Sequence, residues 1–287
     1  MIGYHRPATL TEALAIRAAQ DVQVLAGGTD VYPAFATRRA WGDPAHRNVL
    51  DISALHELRG ISQTDEHWRL GALTTWTDLI HADLPPLFDG YRMAAREVGG
   101  VQIQNRGTLV GNICTASPAG DGIPCLLTLD AQVELASRNG VRLLPVADFI
   151  TGYRATAAAP DEIVTALLVP KSAGRGRFLK LGARKYLVIS IVMVAAVIVA
   201  DDDGLIRQAK LAVGSCSSVA RRLSALEDAL CGQRLTSMAD IVLADHLDAL
   251  RPIDDVRGTG RYRQDAALTL VRDLLASFGA DAAQRAA

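Results

Sequence analysis

Two glycine-rich segments contain the residues of this chain best suited to hold an anion. Residues 25–31 read LAGGTDV and follow a short apolar run, and residues 105–121 read NRGTLVGNICTASPAGD. A pyrophosphate needs backbone N–H donors at close range, and glycine permits that approach because it lacks a Cβ atom and tolerates positive φ. A helix starting directly after the turn would add a favourable dipole. The two segments are either ordinary turns or two walls of one anion site.

The second glycine segment, residues 105–121, is rich in groups that bind hydroxyls. A ribityl chain and a ribose need such donors and acceptors, whereas an Ω-loop would use them to satisfy its own backbone. Both interpretations fit the sequence. The fingerprints GxGxxG and GxxxxGK[ST] do not occur where a nucleotide site would need them, which disfavours a Rossmann or P-loop site. The polar or flexible positions are Asn105, Gly107, Thr108, Gly111, Asn112, Ser117, Gly120 and Asp121.

Cysteine and histidine spacing predicts no metal or iron–sulfur site in this chain. The 4 cysteines include no CxxC pair, and the 6 histidines include no i,i+4 pair. Zinc and [2Fe–2S] sites usually need closely spaced ligand pairs. We therefore assign no metal ligand and no catalytic residue. Trp41, Trp68 and Trp76 are expected to be packing residues, and Arg38-Arg39 a solvated helix end.

Composition and charge indicate a globular, cytoplasmic protein. Hydrophobic residues make up 49% of the chain, and the net charge is −1 with no block of like charges. This argues against nucleic acid or an anionic membrane as the main partner. The N-terminus, MIGYHRPATL, lacks the basic head and apolar stretch of a secretory signal. The apolar run 187–200 is too short to span a bilayer and is predicted to be one long core strand.

The pattern along the chain predicts an α+β fold. Residues 1–55 alternate between strand and helix patterns, which predicts a small α/β lobe. Its second helix is expected over residues 29–39, with an early interruption at Pro33. Residues 56–172 read as an antiparallel lobe, because Asn139-Gly140 between two alternating runs is a strong hairpin signal.

A polar, glycine-containing stretch at residues 171–176 predicts a boundary between two domains. Residues 178–181, 187–200 and 208–213 beyond it predict an antiparallel sheet, and residues 219–285 are mostly helical in pattern. We therefore expect a first domain over residues 1–172 and a smaller α+β domain over residues 177–287.

At this point several motifs resemble one known family. They are LAGGTDV, LGALTT at residues 70–75, and above all VQIQNRGTLVGNICTASPAGDGIPCLLTLDAQVEL at residues 101–135. Phe178, Lys180, Arg184 and Lys185 resemble the start of that family's C-terminal domain, and residues 251–257 with Tyr262-Arg263 resemble its end. The chain resembles, over nearly its whole length, the FAD-binding subunit of the xanthine dehydrogenase and carbon monoxide dehydrogenase family of molybdenum hydroxylases.

The resemblance implies a vanillyl-alcohol-oxidase-type FAD-binding domain followed by a smaller α+β domain, with FAD held non-covalently between them. It implies that the first glycine segment, residues 25–31, holds the pyrophosphate and that the second lines the opposite wall. Ile103 would lie near the flavin, and Lys180 and Arg184 near the cofactor or its electron path. The implied residues are Leu25, Ala26, Gly27, Gly28, Thr29, Asp30, Val31, Ile103, Thr108, Gly111, Asn112, Ser117, Asp121, Lys180 and Arg184.

Four positions depart from the family pattern. Val110 stands where the family usually has glycine, and Gln104 where arginine is common. Val188 and Met193 replace residues that are often polar. The change at position 110 tests whether the backbone can approach the flavin closely.

The resemblance also implies a division of labour among subunits. A large subunit with molybdenum cofactor would hydroxylate an organic substrate, and a small subunit would carry two [2Fe–2S] clusters. This chain would pass the electrons through FAD to NAD⁺, a quinone, oxygen or another carrier. Xanthine, an aldehyde, carbon monoxide and an N-heterocycle are all compatible substrates of the complex. The alternatives are a self-sufficient flavin oxidase of the same fold and an assembly module without cofactor.

Overall fold

A computed structural model describes residues 3–42 and 47–286, with side chains described up to residue 280. Its first part is the α/β lobe that the sequence predicts. A three-stranded parallel sheet in the order β1-β3-β2 carries two helices. The first helix is capped by Thr9, whose hydroxyl oxygen accepts a hydrogen bond from the Glu12 amide. The elements are β1 (Tyr4–His5), α1 (Leu10–Ala19), β2 (Val22–Leu25), α2 (Val31–Ala40) and β3 (Asn48–Asp51).

Helix α2 differs from its prediction at its start. It begins at Val31 and not at residue 29, and Pro33 does not interrupt it. Pro33 is the third residue of the helix. The amides of the first turn have no partner within a helix, so proline there removes no hydrogen bond.

The second part is built on a five-stranded antiparallel sheet in the order β4-β5-β10-β6-β7. The predicted hairpin at Asn139-Gly140 is present between β6 and β7. The elements are β4 (Ile61–Gln63), β5 (His67–Gly71), α3 (Trp76–His81), α4 (Asp89–Glu97), α5 (Val101–Gln104), α6 (Leu109–Thr115), α7 (Gly122–Thr128), β6 (Gln132–Ser137), β7 (Gly140–Pro145), α8 (Val146–Phe149), β8 (Ile150–Gly152), β9 (Ala155–Thr156) and β10 (Ile163–Pro170).

The second glycine segment contains a helix at its centre, so the Ω-loop interpretation is wrong. Helix α6 occupies its centre, and α7 begins directly after it. Ala116 ends α6 in the left-handed region with φ of 47°. The polar residues that suggest a loop therefore lie in and around helices: Thr108 caps α6, Asn112 lies within it and Asp121 directly precedes α7.

The third part is a four-stranded antiparallel sheet, in the order β11-β12-β13-β14, covered by helices. Its elements are β11 (Arg175–Leu181), β12 (Val192–Ala200), β13 (Ile206–Gly214), β14 (Arg221–Arg222), α9 (Ser224–Leu230), α10 (Met238–Ile241) and α11 (Gly260–Ala286). Four short 3-10 turns complete the described chain, at His56–Leu58, Pro86–Phe88, Leu235–Ser237 and Ala244–Leu247.

The apolar run 187–200 is not one long strand. Strand β12 begins only at Val192, and Leu187 and Ile189 before it are 54% and 52% exposed. Leu187 has a φ of 54°, which breaks the extended geometry. Among the tryptophans, Trp76 is buried and Trp68 half-buried, but Trp41 is 85% exposed and does not pack in the core.

Strand β12 joins the two hydrophobic cores of the molecule. Met193, Ala195 and Val197 face the larger core, which includes the antiparallel lobe. Val192 and Val194 face the smaller core, which includes α9 and α11. Because both faces are buried, the strand is continuously apolar and shows no alternation. No helix in the described ranges is long and apolar enough to cross a membrane.

A salt-bridge network also joins the sheet of β13 and β14 to the loop after α7. Arg222 contacts both carboxylate oxygens of Glu227, at 2.5 and 2.8 Å, and Asp130 at 2.9 Å. Lys210 contacts the other oxygen of Asp130 at 2.5 Å. We expect Arg222→Ala to lower the free energy of unfolding by about 2 kcal/mol, because it leaves the buried Glu227 carboxylate without its cation.

Denaturant unfolding of Arg222→Ala and of a control, Arg138→Ala, measures this contribution. Arg138 lies exposed in the hairpin turn between β6 and β7 and makes no ion pair with any described residue. Equal stability of the two variants would show that the network contributes nothing.

Glu162 supplies a pH-dependent contact between β7 and the start of β10. Arg142 donates to its two carboxylate oxygens at 2.5 and 2.8 Å, and the Ala159 amide donates at 2.6 Å. The Arg142 hydrogen bonds hold the pKa of Glu162 below its usual value, against the opposing effect of burial. This stabilisation is present above the unfolded-state pKa of about 4.3 and is lost as pH falls through the lower folded-state pKa.

We therefore expect Glu162→Gln to unfold at a lower denaturant concentration than the parent at pH 7. The difference should shrink as pH falls below about 4, where the parent carboxylate is protonated. Midpoints measured at several pH values check this. A constant difference across that range would contradict the assignment to ionisation.

Candidate functional site

The first glycine segment forms the turn between β2 and α2, at the carboxyl end of a parallel strand. Leu25 is the buried last residue of β2, and Asp30 precedes the first helical residue, Val31. Gly28 has a φ of 77°, in the region that favours glycine. Its carbonyl oxygen accepts a hydrogen bond from the Tyr32 amide at 3.2 Å, which starts the helix. The positive end of the α2 dipole therefore lies at this turn, where it favours a bound anion.

The amides of this turn are available to a ligand. The backbone N–H groups of Gly27, Gly28 and Thr29 donate to no acceptor among the residues that the structure describes. All three residues are half-buried. Unpaired amides at a helix N-terminus are the arrangement that binds phosphate groups.

The two glycine segments lie directly against each other. A Cβ atom on Gly27 would lie 1.8 Å from the Arg106 carbonyl oxygen and 3.1 Å from the Gly107 Cα atom. A Cβ atom on Gly107 would lie 3.4 Å from the Thr29 hydroxyl oxygen. Segments far apart in sequence thus meet backbone to backbone, with no space for a side chain between them.

Residues 70–75 hold the second glycine segment in place. The Trp76 amide donates to the Gly107 carbonyl at 3.2 Å, and the Leu109 amide donates to the Thr74 carbonyl at 3.0 Å. Thr108, between them, caps α6 by accepting from the Gly111 amide at 2.9 Å. The LGALTT motif therefore has a structural task, which is to fix the start of α6 beside the first segment.

Asn112 carries an acceptor that has no partner. Its Oδ1 atom is buried and receives no hydrogen bond from any described residue. A Cβ atom on Gly122 would lie 3.0 Å from this oxygen and 2.8 Å from the Trp76 ring, so the glycine lets the start of α7 pack closely against Asn112. A buried acceptor without a donor costs about 1–3 kcal/mol. A ligand hydroxyl would remove that penalty.

Two further predicted residues make local contacts. Ser117 accepts a hydrogen bond from the Ala119 amide at 3.3 Å, in the turn between α6 and α7. Ile103 is a half-buried residue of α5 whose carbonyl accepts from the Gly107 amide at 2.7 Å. Ile103 therefore adjoins the point where the two glycine segments meet.

Asp121 and Lys180 are predicted site residues that bind each other. Lys180 Nζ lies 2.6 Å from Asp121 Oδ2, and Ser190 Oγ donates to Asp121 Oδ1 at 2.5 Å. Lys180 also donates to the Glu97 carbonyl at 3.4 Å. Burial raises the pKa of Asp121, while Lys180 and Ser190 oppose that rise. Both carboxylate oxygens are engaged, so the cluster ties the start of α7 to β11.

Ser190 is the site residue that sequence reasoning missed. It is buried, and it is the fourth residue of the run 187–200, which otherwise reads as apolar. The available signal was this single hydroxyl inside the run, next to the start of β12.

Arg184 stabilises the loop between β11 and β12, to which it belongs. Its Nε donates to the Tyr186 carbonyl at 3.0 Å, and its Nη2 donates to the Leu187 carbonyl at 2.5 Å. A Cβ atom on Gly100 would lie 3.2 Å from Leu187 Cδ2, so this loop lies beside the start of α5. Arg184 thus acts on the region of Ile103 through the loop rather than by a contact of its own.

The four departures from the family pattern leave the site intact. Val110 is 4% exposed and packs in the larger core, so its side chain points away from the solvent-facing wall. Met193 is buried in the same core, and Gln104 donates to the Arg96 carbonyl at 3.2 Å. Val188 packs against Gly182, where a Cβ atom would lie 2.3 Å from Val188 Cγ1.

These features fit FAD. Unpaired amides at a helix N-terminus suit its pyrophosphate, and the Asn112 acceptor suits a hydroxyl of its ribityl or ribose part. The first segment contains no histidine or cysteine that could form a covalent link. Within the described ranges, no group of three or more His, Cys, Asp or Glu side chains could hold a metal ion.

Comparisons with known proteins agree with this arrangement. Residues 1–172 match the FAD binding domain in molybdopterin dehydrogenase, and residues 177–278 match the CO dehydrogenase flavoprotein C-terminal domain. The chain is 34% identical to the nicotinate dehydrogenase FAD-subunit of Eubacterium barkeri over 81% of its own length and 80% of that protein. It is 31% identical to a putative xanthine dehydrogenase FAD-binding subunit of Escherichia coli, over 95% of its own length and 94% of that protein.

The fold matches a solved structure of the same class. A chain of carbon monoxide dehydrogenase from Hydrogenophaga pseudoflava superimposes with a TM-score of 0.85, at 27% identity, over 96% of both chains. The matches confirm the resemblance, the fold class and the FAD-binding domain that the glycine segments indicate. The chain therefore belongs to the family of FAD-binding subunits of molybdopterin-dependent dehydrogenases.

Proposed function

We propose that this chain is the electron-transfer subunit of a molybdenum hydroxylase complex. It takes electrons from [2Fe–2S] clusters of a small partner subunit and passes them to an acceptor such as NAD⁺, a quinone or O₂. A large partner subunit holds the molybdenum cofactor and oxidises the organic substrate. The observation that carries this proposal is the meeting of Gly27 with the Arg106 carbonyl, beside unpaired amides; the unpaired Asn112 acceptor in the second segment supports it.

The proposed roles of the site residues follow from their positions. Residues 25–31 hold the pyrophosphate, mainly through backbone amides, and the α2 dipole adds to this. Thr108, Gly111, Asn112 and Ser117 line the opposite wall. Ile103 borders the flavin. Asp121 and Lys180 fix α7 against β11, and Arg184 shapes the neighbouring loop.

The chemistry divides between cofactor and protein. Bound FAD supplies the ability to accept electrons singly and release them as a pair. The residues of this chain bind and orient it, exclude water from its buried part and position it for a donor. We assign no catalytic side chain and no metal ligand to this chain. We place the boundary between its FAD-binding and C-terminal domains at residues 173–176 and its activity in the cytoplasm.

Purification of the chain together with its partner subunits tests the proposal. We expect a yellow complex that releases about one FAD per copy of this chain on denaturation, and a flavin that is reduced only when the molybdenum and iron–sulfur subunits are present with substrate. A colourless but folded protein that takes up no FAD would overturn it. Flavin reduction by a small alcohol or amine without partners would instead identify a self-sufficient oxidase.

Gly27→Ala should abolish retention of FAD. The new Cβ atom would overlap the Arg106 carbonyl oxygen, at 1.8 Å, and force the two glycine segments apart. We expect the Kd for FAD to rise by at least about 100-fold, which corresponds to about 2.7 kcal/mol. Equilibrium titration of apoprotein with FAD measures it.

Gly152→Ala is the matched control for that variant. At Gly152 an added Cβ atom would meet only Ala155 Cβ, at an ordinary 3.8 Å. The control should bind FAD like the parent. Parent-like binding by Gly27→Ala would show that the contact between the segments does not form the site.

Asn112→Ala should weaken FAD binding without lowering the stability of the apoprotein. Removal of an unpaired buried acceptor should leave the apoprotein as stable as the parent or more stable. The same change should raise the Kd for FAD by about 10-fold, because a ligand hydrogen bond is lost. Unfolding of apoprotein and FAD titration give the two values. A variant that is destabilised as apoprotein but binds FAD normally would contradict a role of Asn112 in the site.

A further inference from the structure

A cleft between α4 and the start of β11 collects four arginine side chains, and it is called the basic cleft here. Its volume is about 350 Å³. Arg92 and Arg96 line it from α4, and Arg175 and Arg177 line it from β11. Among the described residues that line it, Asp89 is the only acidic one. Because arginine stays protonated at any pH at which proteins fold, the lining carries an excess of three positive charges.

Regular secondary structure brings these side chains together. Asp89, Arg92 and Arg96 are spaced at i, i+3 and i+7, which places them on one face of α4. Arg175 and Arg177 are two residues apart in β11 and therefore project from one face of the strand. The convergence of the four arginines is thus a property of two fixed elements and not of a mobile loop.

The basic cleft lies where the two domains meet. Helix α4 belongs to the part of the chain that matches the FAD-binding domain, and β11 is the first strand of the C-terminal sheet. Two glycines allow the close approach. A Cβ atom on Gly176 would lie 2.5 Å from the Leu87 carbonyl oxygen, and one on Gly90 would lie 2.7 Å from the Arg177 amide nitrogen. A ligand in the cleft would therefore contact both domains at once.

The one carboxylate of the basic cleft is already bound. Asp89 Oδ1 accepts a hydrogen bond from Arg92 Nη2 at 2.5 Å. The two arginines of β11 also make contacts of their own within the chain. Arg96 is exposed and forms no ion pair with any residue in the described ranges. An anion entering the cleft would therefore meet Arg96 without displacing a carboxylate from it, and it would reduce the repulsion among the guanidinium groups.

A phosphate group fits this arrangement better than a carboxylate. The oxygens of a phosphate point in tetrahedral directions, so they can accept from guanidinium groups of a helix and of a strand at the same time. A planar carboxylate pairs in this way with a single guanidinium. The volume of the cleft lies at the lower end of the range of small-molecule sites, which is about 300–1,000 Å³, and such sites occur preferentially at domain interfaces.

The basic cleft is separate from the cofactor site. Lys180 of the same strand binds Asp121, at the end of the second glycine segment. Arg177 and Lys180 are three residues apart, so they project from opposite faces of β11 and lie about 10 Å apart along it. The two cores show the same division, since Phe178 packs in the larger core and Leu179 against the smaller. An anion in the cleft would therefore be a second ligand and not a part of FAD.

We propose that the basic cleft binds the phosphate group of a small molecule and that this ligand joins the two domains. It accepts hydrogen bonds from guanidinium groups of α4 and of β11, and it thereby stabilises the docked arrangement of the FAD-binding domain and the C-terminal sheet. The site goes beyond the proposed electron-transfer function, which requires no second ligand.

Titration of the FAD-loaded protein with inorganic phosphate and with glycerol 3-phosphate tests the proposal. Calorimetry gives the Kd, and thermal unfolding gives the shift of the midpoint. Chloride keeps the ionic strength constant, so that general screening does not change. We expect saturable binding of at least one of the two, with a midpoint that rises with its concentration. The tighter ligand identifies free phosphate or a phosphate ester as the source of the group.

Arg96→Gln and Arg175→Gln should each raise that Kd at least about 10-fold, because a charged donor is lost. Arg138→Gln is the matched control, since Arg138 is exposed in the hairpin turn between β6 and β7, and it should bind like the parent. Arg96 is exposed, so its variant should fold even if Arg175→Gln does not. Absence of saturable binding, or parent-like affinity of Arg96→Gln, would overturn the proposal. Loss of FAD from a folded Arg96→Gln variant would place the cleft in the cofactor site and would overturn it as well.

Discussion

The absence of one side chain, at Gly27, sets the geometry on which the cofactor site depends. The Arg106 carbonyl oxygen occupies the position that a Cβ atom would need. This contact places the amides of the first glycine segment beside the start of α6. The two segments come from different lobes of the chain and share no secondary structure, so no sheet hydrogen bonds hold them in register. Instead, the backbone contact at Gly27 fixes the position of one segment relative to the other.

The second segment can serve as a wall because other elements fix both of its ends. Thr74 and Trp76 hold its start through main-chain hydrogen bonds with Leu109 and Gly107. Its end is fixed by the buried carboxylate of Asp121, which binds Lys180 of β11 and Ser190 just before β12. Strand β12 joins this end to both hydrophobic cores. Movement of the C-terminal sheet would therefore be transmitted to the cofactor wall through one buried ion pair.

Much of the fold could be predicted from the sequence, because local patterns determine its elements. The parallel lobe, the Asn139-Gly140 hairpin and the third sheet all have periodic or turn signals. The errors arose where one residue type serves two purposes. Polar residues in the second segment fit both a loop and a cofactor wall in the sequence, and the structure places them within α6 and next to helix ends. Apolar residues 187–191 extend the pattern of β12, although the positive φ of Leu187 takes them out of the strand.

Contacts between distant residues could not be predicted from the sequence. Nothing in the composition indicates that Gly27 touches Arg106, or that Asp121 is satisfied by Lys180 and Ser190 rather than by a ligand. The exposed Trp41 is a related case. A large aromatic residue is expected to pack, whereas the Trp41 side chain is 85% exposed.

Unpaired backbone amides and an uncovered helix meet at one turn of the described chain. The amides of Gly27 and Gly28 donate to no described residue, and helix α2, none of whose residues is buried, begins three residues after Gly28. Natural proteins accept such local defects where a ligand or partner later satisfies them. A ligand that orders the turn reduces the conformational entropy that is still to be lost when α2 is fixed by a partner. Coupling of this kind is reciprocal, so occupancy of the turn and burial of α2 should favour each other. Binding at the cofactor turn and burial of the exposed helix would therefore each lower the entropic cost of the other, because both order the chain around Gly28.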